Sequence, residues 1–118
     1  MERNWELIRE IMLKIKELGP RESLRSSQLE GYDPEIVAEH MYLLEQAGLA
    51  EINVSRSLNG PAQAIAYRLT WEGHEFIDLM NSDTQWNRVK DGLKEKGVEF
   101  TFDTLKAMAS TVMQNLMT

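Results

Sequence analysis

No cysteine occurs among the 118 residues, which removes disulfides, thiolate metal ligands and thiol chemistry together. No run of about 18 apolar residues occurs either, so no membrane-spanning helix is expected. The opening residues carry charge from Glu2 onward and hold no apolar signal core, so the cytoplasm is the expected location. No glycine-rich phosphate loop, His-Glu-x-x-His spacing or recognisable Ser, His and Asp arrangement appears. His40 and His74 therefore read as packed or surface histidines, and Glu72 with Glu75 as a solvated helix face. Neither catalysis nor a cofactor nor a metal is expected. The sharpest gap is one of charge sign: residues 26–54 contain six acids (Glu30, Asp33, Glu35, Glu39, Glu45, Glu51) and no Lys or Arg.

What is present is an ordinary globular composition, 42% hydrophobic and 27% charged, enough for one domain with a modest core. The net charge of −6 is unevenly spread, since residues 1–25 hold six bases against five acids.

Asp33 to Leu49 is the most sharply written stretch. Asp33 is suited to cap a helix, Pro34 to occupy its first position, and Gly48 to end it in the left-handed region. Val37, Met41 and Leu44 recur at helical spacing between these signals, and β-prone Ile52 and Val54 follow at once. Before it, Glu2 to Leu18 reads as a first helix ended by Gly19-Pro20, residues 21–25 as a polar connection, and Ser26 or Ser27 as the cap of a short second helix. After it, residues 51–55 and 64–69 read as a hairpin with an Asn59-Gly60-Pro61 tip. Thr70 caps a fourth helix reaching about Asn81; Gly73 inside it implies close approach to another backbone. Ser82 or Asp83 opens a fifth helix that Gly97 stops, and Asp103 a last one. Trp5, Trp71 and Trp86 fall on apolar phases and are expected to pack. The fold class is mainly α with a small β-hairpin: a winged helix-turn-helix domain at 1–81, and two additional C-terminal helices at 82–118 expected to pack on it.

Two segments carry a resemblance. Val37 to Leu49 is similar to the recognition helix of the arsenic-repressor and multiple-antibiotic-resistance-repressor types of winged-helix regulator. Leu69-Thr70-Trp71-Glu72-Gly73 is similar to the leucine-threonine-x-x-glycine sequence that follows the wing in many of them. Nearly the whole chain resembles a narrower family of short bacterial and phage proteins of unknown function, through Arg3-Asn4-Trp5-Glu6-Leu7-Ile8-Arg9, Glu30-Gly31-Tyr32-Asp33, Leu69 to Phe76 and Trp86-Asn87. That resemblance implies a prophage or mobile-element setting and no activity.

Two partner classes follow, a DNA-binding regulator as the expected reading and a protein-binding module as the alternative. A DNA-binding transcription regulator would use Arg21, Arg25, Ser27 and Gln28 with the wing residues Arg56, Ser57, Asn59 and Gly60, and would bind weakly, because affinity for DNA comes largely from cations on phosphates. A protein-binding module would instead use the acidic outer face of the third helix, read as Glu35, Ala38, Glu39, Tyr42 and Gln46 with Leu43 at its edge, against a basic partner. Met108, Val112, Met113 and Leu116 on the last helix are candidates for a homodimer contact.

Overall fold

Local caps set most element boundaries. The computed structural model describes residues 3–56 and 62–117, with side chains as far as Gln114. Asn4 Oδ1 accepts from the Leu7 N–H at 3.1 Å and opens α1, Trp5–Lys16, shorter at both ends than the periodicity implied. Asp33 Oδ1 accepts from the Glu35 N–H at 2.9 Å and opens α2, Pro34–Gln46, with proline at its first position as expected. The helix ends as its glycine dictates. Gly48, at φ 74°, lets its own N–H reach Glu45 O and the Leu49 N–H reach Leu44 O, at 3.1 and 3.0 Å, while Leu49 folds back and is buried.

The second helix is corrected to a single 3₁₀ turn, Ser26–Gln28, and the polar connection before it ends in a strand, β1, Leu24–Arg25. Ser26 does not cap a helix. Its buried hydroxyl accepts from the Ala64 N–H at 3.1 Å, and Gln28 Oε1 accepts from the Arg25 N–H at 2.7 Å, which closes the turn on itself. β2 (Ala50–Ser55) and β3 (Gln63–Leu69) form the expected antiparallel pair, and β1 joins it on the far side of β3. The sheet is three-stranded, ordered β1-β3-β2, with Leu24 opposite Ala66, Arg25 opposite Ile65 and a bulge between Glu51 and Ile52. The molecule is mainly helical, completed by α3 (Trp71–Asp78), α4 (Asp83–Lys96) and α5 (Phe102–Met117).

The chain divides into two units, Met1–His74 and Glu75–Thr118. In the first, α1 packs on α2 and β3, and the core holds Leu7, Ile8, Ile11 and Met12 with Val37, Met41 and Leu44 and the small Ala64 and Ala66 of the sheet. Burying each large side chain contributes about 1.5–3 kcal/mol relative to leaving it in water.

The two segments that carried the regulator resemblance lock onto each other here. Thr70 donates its hydroxyl to Gly48 O at 2.6 Å and its N–H to Leu49 O at 3.0 Å, and its hydroxyl accepts from the Gly73 N–H at 3.1 Å, capping α3. A Cβ at Gly73 would lie 1.9 Å from Leu49 O, so the close backbone approach expected of this glycine is present. Trp71 was misread. Gly73, Phe76, Ile77 and Met80 are the buried positions, and Trp71 lies two residues, about 200° around a helix, from Gly73. It is 79% exposed.

Tyr32 fastens the turn before α2 to α1. Its hydroxyl donates to the Glu10 carboxylate, which, with burial and the Glu10 and Glu6 charges, raises its pKa above a tyrosine's ordinary value. A raised folded-state pKa contributes stability that is complete below the unfolded value and lost as pH rises through the folded one. Wild-type stability should therefore fall more steeply than that of Tyr32→Phe above about pH 10. Urea melts from pH 8 to 11 giving parallel curves for the two would contradict this.

In the second unit α4 opens at Ser82, whose hydroxyl accepts from the Gln85 N–H, and closes at Gly97, at φ 67°. The start of α5 is corrected from Asp103 to a reciprocal threonine pair: the Thr104 hydroxyl accepts from the Thr101 N–H at 2.8 Å, and the Thr101 hydroxyl from the Thr104 N–H at 3.1 Å. Asp103 lies inside the first turn of α5 and not at its cap. α4 and α5 pack along each other, and Phe76 meets Phe102 edge-on at 5.3 Å between ring centres.

Candidate functional site

The outward face of α2 follows from what its inward face must bury. Val37, Ala38, His40, Met41 and Leu44 point into the core, so Ala38 is removed from the outer face that the sequence assigned to it. Glu35, Ile36, Glu45 and Gln46 are exposed, and Glu39, Tyr42 and Leu43 half-exposed. Ile36, 45% exposed, was not foreseen as a surface residue; it lies two turns before Leu43, which gives the face an apolar strip.

His40 anchors this helix to the start of α1. It is 1% exposed, its Nε2 accepts from the Asn4 N–H at 2.9 Å, and its Nδ1 lies 2.9 Å from Ile36 O. An amide N–H can only donate and a carbonyl can only accept, so the neutral ring carries its proton on Nδ1. It is a structural histidine. Among the described residues no group of three or more His, Asp or Glu is placed to hold a metal ion.

The residues nominated for DNA and for protein meet at one point. Arg56, just past β2, reaches back to α2: its two terminal amino groups donate to Glu39 Oε1 and Oε2 at 2.7 and 3.1 Å. Its guanidinium carbon stands 5.0 Å from the Tyr42 ring centre, and the Tyr42 hydroxyl accepts from Gln46 Nε2 at 2.9 Å. The Glu39 hydrogen bonds, then its charge, push the Arg56 pKa further up. The pairing spans 17 residues of sequence and no local pattern announces it.

The remaining nominated residues are dispersed. Arg21, Arg25, Ser27 and Gln28 are exposed. Arg25 and Ser27 line an open groove of about 350 Å³ with Pro34, Gln63 and Ile65, which neither Arg21 nor Arg56 lines. Ser57, Asn59 and Gly60 lie outside the described residues, as does the side chain of Leu116. Met108 is buried in the second unit, where a Cβ at Gly92 would come within 2.8 Å of its sulfur, and Val112 and Met113 are half-buried.

A family-wide sequence profile described as "Hypothetical protein (DUF2513)" matches residues 2–99. The chain belongs to this family. It is also 40% identical over 118 residues, 99% of each chain, to a Haemophilus influenzae protein named "Uncharacterized protein". The unknown-function family to which the sequence pointed is thus shown. The DUF2513 match takes in the whole α2 face, Arg56 and the Thr70–Gly73 lock, and stops short of α5. No helix among the described residues is long and apolar enough to cross a membrane.

Proposed function

We propose that this DUF2513 chain is a winged helix-turn-helix protein that works by binding, without catalysis, and that the outer face of α2 docks a basic protein surface. The winged-helix reading is supported by the order α1, β1, turn, α2, β2, β3 with the sheet arranged β1-β3-β2, and by the α2-to-α3 lock. The observation that carries the partner class is the Arg56–Glu39 pair. Arg56, the cation facing Glu39, is already bound, which leaves Glu35 and Glu45 to set the charge of a face that carries Tyr42 and Gln46, with Ile36 and Leu43 along one edge. Such a face repels phosphates and complements Lys and Arg.

The second reading, DNA, is favoured by one feature, the exposed Arg25 and Ser27 beside the groove at the start of α2. Fluorescence anisotropy with random duplex DNA and with a lysine-rich peptide separates the two. Duplex DNA should bind no tighter than about 1 µM at physiological salt. The peptide should bind, and Glu35→Gln with Glu45→Gln should weaken it about threefold to tenfold, one exposed pair's worth or so for each charge. Sub-micromolar DNA binding, or peptide binding indifferent to both glutamates, would turn the assignment over to DNA.

A further inference from the structure

We propose that Glu39, Tyr42 and Gln46 form a receiving seat for an arginine side chain of the protein partner, and that Arg56 fills it from within until the partner arrives. This rests on the docking reading above and names the group that is recognised. The seat has the parts that guanidinium recognition needs: a carboxylate presented edge-on, so that both its oxygens take parallel N–H bonds, and an aromatic ring beside the guanidinium plane. Gln46 holds that ring through its hydroxyl. Glu39, Tyr42 and Gln46 fall at successive turns of one helix, so the seat exists as soon as α2 forms.

Its occupant is the replaceable part. Arg56 belongs to no helix or strand, half of its side chain, 51%, is exposed, and its bonds to Glu39 are of the surface kind that solvent and competing ions weaken. An arriving arginine would make the same two bonds and the same ring contact. Arg56 would then be released at the rim, as a free cation beside the incoming segment. A lysine offers no matching fork: its ammonium is a point charge that cannot meet both oxygens in one plane. The seat therefore distinguishes arginine from lysine, which the general acidity of α2 does not.

The test uses two fluorescein-labelled peptides of equal length and charge, one alternating glycine with arginine and the other glycine with lysine. Each is titrated into wild type, Arg56→Gln, and Arg56→Gln with Glu39→Gln, all checked for wild-type circular dichroism. Emptying the seat should tighten the arginine peptide about fivefold and the lysine peptide by clearly less, and the added Glu39→Gln should abolish the difference. In the Arg56→Gln protein the arginine peptide should also shift the Gln46 side-chain amide resonances. An equal gain for both peptides would show a net-charge effect alone and overturn the seat. An unchanged affinity of Arg56→Gln for the arginine peptide would overturn it too. Neither outcome touches the docking reading, which is decided at Glu35 and Glu45.

Discussion

Gly73→Ala should lose about 2–4 kcal/mol of stability, although alanine is the better helix former by about 1 kcal/mol. The added methyl has nowhere to go. Its position is 1.9 Å from Leu49 O, a backbone atom that also accepts the Thr70 N–H, so relief requires α3 to back away from the end of α2. That movement breaks the Thr70 bonds to Gly48 O and Leu49 O together. Both helix ends lose their fixed relation, since the same few atoms finish one and begin the other. Thermal and urea melts give the answer directly. A neutral or stabilising alanine would mean that propensity governs this position and that α3 stands off from Leu49.

His40→Leu should cost about 1–3 kcal/mol, even though leucine is apolar and close to histidine in size. The loss is specific. The Asn4 N–H would face hydrocarbon where it now meets Nε2, at the residue whose side chain caps α1. Hydrogen exchange of the Leu7 and Ile8 amides should accelerate more than that of the Met41 and Leu44 amides. A uniform acceleration would show that the ring serves volume alone.

These two positions also mark what could be read from residues and what could not. Gly73 announced a close approach because a glycine inside a helix opposes propensity, and Asp33, Gly48, Thr70, Ser82 and Gly97 act within a few residues of themselves. Interactions that close over short loops leave a local signature. β1 left none: two residues show no period, and Leu24–Arg25 becomes a strand only because β3 lies beside it, some forty residues on. Trp71 misled because the apolar phase assigned to it left Gly73 out of account; the glycine defines the buried side and turns the indole outward. At the candidate site the acidic character of α2 was legible from composition. The capture of Arg56 by Glu39 was not, since charge counts say nothing about which residue of a helix meets the far end of the strand that follows it. Both charges had been assigned, to different partners, before the structure brought them to each other.

The three-stranded sheet has one more consequence, for behaviour at high concentration. Within the first unit, among the described residues, a sheet ordered β1-β3-β2 has β1 and β2 as its edge strands, the places where another chain could add its own backbone and begin a polymer. One border is only two residues long, too short to template a neighbour. The other, β2, is broken by the bulge at Glu51 and Ile52, and its outward side chains include Glu51, tied to Arg68 of β3. A strand laid along it would lose register at the bulge and meet a carboxylate. The fold thereby carries its own guard against fibre growth, in the residues that interrupt the β2 edge.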